Sequence, residues 1–195
     1  MTVIYRFKLM LMILCLAYVA GCGGSGGKAE SDIDGAMLKP GLSVLYVEGK
    51  YRFIKQMPKE KKARKKGWYG KPILEINHQF GEGEVFDSKK SKKIGVLIDG
   101  YILLDKQGIY EFQALSNDGV EVYINGKLIV SDPNVHSDRL SKIGEYLNEK
   151  AGWQPLHIRY FQRKGSAALK LYWKSPGSDK FEIVPGKAYG YLGGE

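Results

Sequence analysis

At 195 residues the chain is long enough for one ordinary domain and too short for two comfortable ones. With 44% hydrophobic and 26% charged residues it is globular in composition, neither disordered nor membrane-embedded throughout, and its formal charge is +9. Two cysteines exclude a multi-disulfide scaffold, three scattered histidines argue against a His-rich metal site, and 25 glycines with 13 tyrosines favour a turn-rich β protein.

The first segment reads as an address. Arg6 and Lys8 precede an apolar run of 11 residues, Leu9 to Val19. A spanning helix needs roughly 20 residues, so this run fits the core of a signal peptide instead. It ends in Val19-Ala20-Gly21-Cys22, which resembles a bacterial lipobox. That resemblance implies cleavage before Cys22 and a diacylglycerol on its sulfur, so that the mature protein is palmitate-bearing and membrane-anchored outside the cytoplasm. An ordinary secretory signal that contains a cysteine is the alternative. The following Gly-Gly-Ser-Gly-Gly has the composition of a flexible linker. The expected division is a signal over 1–21, a lipidated cysteine and tether over 22–39, and a β domain over 40–190.

Within that domain the apolar period is two, the period of strands. Ile94 to Leu104 is a long candidate with Asp99-Gly100 as a bend or bulge inside it. Tyr110, Phe112 and Ala114 alternate with polar residues, as do Val120, Val122 and Ile124. Asn125-Gly126 then predicts a two-residue hairpin turn, because both central positions need positive φ. Asp138 to Leu147 carries a weak helical stripe, expected to be a short helix or a loop. Leu156, Ile158 and Tyr160 alternate again, followed by Leu169, Leu171 and Trp173, and Pro176-Gly177 ends the last clear strand. One buried and one wetted face per strand predict an all-β, antiparallel sandwich or barrel.

The ordered set Gly100-Tyr101-Ile102, Gly108-Ile109-Tyr110-Glu111-Phe112, Ser116 to Val130, Ala151-Gly152-Trp153, Ile158 to Phe161 and Ala168 to Trp173 resembles the protective-antigen (PA-14) domain family over about Pro40 to Tyr189. The resemblance implies a β-sandwich module that often binds carbohydrate. The family's sugar-binding members hold calcium with two successive aspartates, and the matching pair here is Asn117-Asp118. Calcium takes 6–8 oxygen ligands, and fewer anionic ligands generally mean weaker binding. The second loop of that site corresponds to Gln162-Arg163-Lys164-Gly165-Ser166, which has no acid and brings two cations. Asn117 and Asp118 are therefore candidate ligand residues with calcium doubtful as a cofactor, and a plain structural turn is the alternative. Trp68 and Trp153 are candidate stacking residues for a glycan, although core packing is the alternative for both.

Charge gathers in two segments. Lys59, Lys61, Lys62, Arg64, Lys65, Lys66 and Lys71 stand against Glu60 alone, and Lys89, Lys90, Lys92 and Lys93 follow. Both are expected to be loops on one side of the domain, and such a field attracts anions. Lys61, Lys62, Arg64, Lys65 and Lys66 are the candidate contacts to an anionic surface, whereas nucleic acid is not expected for an exported chain. Asp132, His136 and Asp138 share one loop and form either a polar site or ordinary loop hydrogen bonds. No nucleophile elbow, His-Glu-x-x-His or phosphate-binding glycine loop is present. The function expected is a lipid-anchored envelope module binding a glycan or glycoconjugate, with no enzyme activity. The alternative is a structural envelope protein docking through its basic loops on anionic polymers or a protein partner.

Overall fold

The computed structural model describes residues 33–193. The expected signal segment, Cys22 and most of the tether lie outside the described residues. The strands are β1 (Leu38–Pro40), β2 (Ser43–Glu48), β3 (Trp68–Tyr69), β4 (Asn77–Gly81), β5 (Ile94–Leu104), β6 (Gly108–Asn117) and β7 (Val120–Ile124). They continue as β8 (Lys127–Asp132), β9 (Arg139–Leu140), β10 (Gly144–Asn148), β11 (Gly152–Gln162), β12 (Ala167–Lys174), β13 (Glu182–Ile183) and β14 (Tyr189–Leu192). Between β2 and β3 lie a 3-10 turn (Ile54–Gln56) and the one α-helix among the described residues, α1 (Glu60–Lys66).

All pairings are antiparallel and fall into two sheets. The first runs β1-β14-β5-β11-β7-β8, with β2 on β5 and β3 on β2. The second runs β10-β6-β12-β13, with β4 on β12 and β9 on β6. The alternating residues read from the sequence face each other across the sandwich: Val96, Ile98, Val122, Ile158 and Tyr160 from the first sheet meet Tyr110, Phe112, Leu169 and Leu171 from the second. Burial of this apolar face against a second sheet is what fixes strand register, because a one-residue slip would turn every core side chain outward.

Three expectations change. Asp99-Gly100 is neither bend nor bulge on the β11 side, where β5 and β11 stay in register from Ile94↔Gln162 to Leu104↔Gly152. On its other edge β5 changes partner at Gly100, from β2 (Ser43↔Asp99) to β14 (Gly190↔Tyr101). A Cβ on Gly100 would stand 2.5 Å from the Gly190 carbonyl oxygen, so glycine there answers a close backbone approach. The Asp138 to Leu147 stripe is neither helix nor plain loop, since it forms β9 and β10 on the edge of β6. Conversely, part of the basic segment expected to be loop is α1, whose Ala63 is buried. The Asn125-Gly126 turn is as predicted, with φ of 49° and 73° joining β7 to β8.

The chain from 49 to 66 forms a strap over the outer face of the first sheet. Tyr51, Ile54, Met57 and Ala63 pack there on Leu45, Val47, Leu97 and Phe161, a small second core. Arg159 fastens the strap by donating from Nη2 to the carbonyls of Ile54 and Met57, 3.2 Å each.

Candidate ligand-binding site

Asn117 and Asp118 end β6 and open the turn into β7, and both are buried. Their peptide bond is cis. The Tyr160 hydroxyl, fully buried in β11, donates to the Asn117 carbonyl. Asn117 Nδ2 donates to Asp138 Oδ1 at 2.8 Å, and Gln79 Nε2 donates to Asp138 Oδ2 at 2.6 Å. These donors hold the Asp138 carboxyl below its ordinary value, the Asn117 bond contributing most.

Asp118 is 2% exposed. Its Oδ1 accepts from the backbone N–H of His136 at 3.2 Å and its Oδ2 from the backbone N–H of Arg163 at 2.7 Å. Burial pushes its carboxyl up, against the pull of those two N–H groups. Asp118 thus joins three segments: the β6–β7 turn, the 133–138 loop and the loop after β11.

The 163–166 loop is drawn inward by Gln162. That buried side chain donates from Nε2 to the carbonyls of Lys164, Gly165 and Ser166 at 2.9, 3.3 and 2.8 Å. A calcium ion would need those oxygens and the Asp118 carboxylate turned toward it. Instead N–H groups meet both Asp118 oxygens, Asn117 presents its amide nitrogen to Asp138, and the loop carbonyls serve Gln162. Among the described residues no group of three His, Cys, Asp or Glu side chains is placed to hold a metal. In this arrangement the Asp118 oxygens, the Asn117 amide and the loop carbonyls all make hydrogen bonds within the protein.

Asp132, His136 and Asp138 do share this end of the sandwich. Arg139 grips Asp132 with two bonds, Nε to Oδ2 at 2.8 Å and Nη2 to Oδ1 at 2.6 Å. His136 Nε2 lies 3.2 Å from Asp132 Oδ2 without forming an aligned hydrogen bond. The cluster braces the loop.

A cleft of about 290 Å³ opens beside Asp118, lined by Arg52, Phe53, Asn134, Val135 and Arg163. Phe53 is 40% exposed, forms a β-bridge with Asn134, and carries the Lys55 ammonium 5.5 Å from its ring centre. Ile54, the next residue of the strap, donates its N–H to the Pro133 carbonyl at 2.9 Å, which seats the strap against the loop. Arg52, Arg163 and Asn134 supply polar hydrogen-bonding groups around the aromatic ring. Phe53 was not among the aromatics singled out from the sequence.

The predicted tryptophans lie elsewhere. Trp68 sits in β3, half-buried, its ring 5.8 Å from that of Tyr46. Trp153 pairs with Leu103 near the start of β11 and is covered by Gly35 and Gly190. Nine positions of β11 separate it from Gln162, a span of ~30 Å at ~3.3 Å per residue. The structure therefore does not bring Trp153 together with Asn117-Asp118. Of the basic candidates, Arg64 is occupied by Glu60 and by the Tyr69 hydroxyl, whereas Lys61, Lys62 and Lys65 line a separate cleft with Lys59.

The PA14 domain family model matches residues 75–187, more than half of the chain. Among solved structures, the chain is similar to an anti-sigma factor domain-containing protein from Clostridium clariflavum, with 19% identity and a TM-score of 0.65 over 80% of this chain. It spans only about half of that protein, 49%. It is also similar to a PA14 sugar-binding domain from an RTX adhesin (17% identity, TM-score 0.57, 78% of this chain and 98% of that one). A third is the epithelial adhesin 9 A domain from Candida glabrata in complex with Galβ1-4GlcNAc (11% identity, TM-score 0.62, 83% and 93%). No curated protein matches the chain. The two antiparallel sheets, the β6–β7 turn at Asn117-Asp118 and the family match over 75–187 lead to one conclusion: the chain belongs to the PA14 domain family.

Proposed function

We propose that this chain is a carbohydrate-binding module, with no enzyme activity, whose site is the cleft between Phe53 and Arg163. The observation that carries the reading is an exposed aromatic ring set among Arg52, Asn134 and Arg163 and seated against the Asp118 loop. A sugar's C–H face would stack on Phe53 while its hydroxyls bond to the arginines and Asn134. Asp118 would act from behind, by holding Arg163 and His136 in place. The RTX adhesin and adhesin 9 domains share the fold, and their sugar ligands support the reading.

Binding would be calcium-independent, because the oxygens that would face the ion are engaged within the protein. Anchoring at Cys22 in an envelope membrane completes the proposal, with the lipobox as its support. A glycan array of the full chain in neutral detergent, with and without chelator, tests the function. At least one neutral glycan should bind equally in both buffers and be lost in Phe53→Ala. Binding that needs calcium, or that survives Phe53→Ala unchanged, would contradict the site.

A further inference from the structure

A second cleft lies on the strap. It has a volume of about 570 Å³ and is lined by Gln56, Met57, Pro58, Lys59, Lys61, Lys62 and Lys65. Typical small-molecule sites measure roughly 300–1,000 Å³, and one water occupies ~30 Å³, so the space exceeds a single ion. Met57 is 3% exposed and belongs to the strap's small core, which gives the cleft a fixed apolar floor. Four lysines line it.

Those four lysines have no ion-pair partner among the described residues. Glu60, the acid within the helix, is held by Arg64 at 2.7 Å. Lys61 and Lys65 stand four apart on α1, a like-charge spacing that weakens a helix. The helix is nevertheless held by Ala63 and by the strap's packing on the first sheet. The fold thus maintains a cluster of positive charge that local electrostatics oppose, and a bound anion would relieve it.

The second basic segment touches the start of the strap through its backbone. Gly49, at the start of the strap, donates its N–H to the Lys93 carbonyl at 2.8 Å. The methyl of Met57 lies against Gly95, two residues after Lys93. Of that segment's lysines, Lys90 is paired with Glu48 at 3.2 Å, so the charge at the cleft is that of Lys59, Lys61, Lys62 and Lys65.

We infer that this cleft binds a phosphate-bearing saccharide unit of an anionic glycan. Lysine ammoniums act as point charges suited to phosphate, and the fork that would select a planar carboxylate, that of Arg64, is occupied. The Met57–Pro58 floor and the lysine stems offer apolar surface to a sugar ring. A concave site takes a single unit of a polymer, whereas a flat anionic membrane would meet a convex surface.

Backbone amide NMR of the full chain in neutral detergent tests this with four probes: mannose 6-phosphate, mannose, inorganic phosphate and dihexanoyl phosphatidylglycerol. Mannose 6-phosphate should saturably shift the signals of residues 57–66, at least fivefold more tightly than inorganic phosphate or the phosphatidylglycerol, and mannose should not. Binding should fall more than tenfold from 0.05 M to 0.5 M salt as the field is screened. It should also fall at least tenfold in Lys61→Ser/Lys62→Ser/Lys65→Ser, and severalfold in Lys65→Met, which keeps the stem. Phe53→Ala should leave it unchanged, which separates this site from the carbohydrate cleft. Equal affinity for inorganic phosphate, tighter binding of phosphatidylglycerol, or no shift at 57–66 would each overturn the inference.

Discussion

Replacing Tyr160 with phenylalanine isolates one atom on which the candidate site depends. The ring is fully buried in the sandwich core and would keep its place and volume. The lost hydroxyl donates to the Asn117 carbonyl and lies 3.3 Å from Gln162 Oε1. A buried polar group left without its partner costs ~1–3 kcal/mol. With the Asn117 carbonyl stranded and no cavity opened, the expected loss is about 2 kcal/mol. For a domain of this size that corresponds to a fall in melting temperature of roughly 4–8 °C. Urea unfolding should show the loss with an unchanged slope, since the surface exposed on unfolding is the same. Glycan affinity should fall as well, because the same bond fixes the turn that carries Asp118. A stability change under about 0.5 kcal/mol would refute the claim that this hydroxyl holds the turn.

Further outcomes follow from the same geometry. Gly100→Ala should destabilise more than a typical surface change, by over about 2 kcal/mol, because its Cβ would meet the Gly190 carbonyl at 2.5 Å; thermal unfolding reads it. Asp118 has a raised carboxyl value in the fold, so its contribution to stability is full below about pH 4 and fades as pH rises through the raised value. Asp118→Asn should therefore compare more favourably with the wild type at pH 7 than at pH 4, and an opposite trend in urea midpoints would contradict the assignment. Asp138 has the reverse sign: its contribution is present above about pH 4 and is lost as pH falls through its depressed value, so Asp138→Asn should flatten the acid limb of the stability curve. Cys22→Ala should release the protein from membranes or leave it unprocessed, as fractionation and intact mass would show. An unchanged, membrane-bound product would argue against lipidation.

The sandwich was legible because its signals are local. Alternation at Val120, Val122 and Ile124 and the Asn125-Gly126 turn need only neighbours along the chain. The family resemblance likewise led to Asn117-Asp118. Phe53 was hidden because Arg52-Phe53-Ile54 looks like any strand end: Ile54 is buried and Phe53 exposed only because the strap folds back onto Pro133. Trp68 and Trp153 invited a sugar-stacking role by residue type, but exposure is set by tertiary neighbours, here Tyr46, Gly35 and Gly190. The 138–147 stretch mimicked a helix because Leu140, Ile143 and Leu147 recur at spacings of three and four. They are exposed on β9, β10 and the loop between them, so that period never met a core.

Glycan binding by the full chain in chelator, compared between wild type and Phe53→Ala, is the most direct measurement. The wild type should bind at least one neutral glycan with the same affinity in calcium and in chelator, and Phe53→Ala should weaken it at least tenfold while melting within a few degrees of the wild type. A wild type that binds only with calcium, or a Phe53→Ala variant that binds as tightly, would place the sugar somewhere other than this cleft.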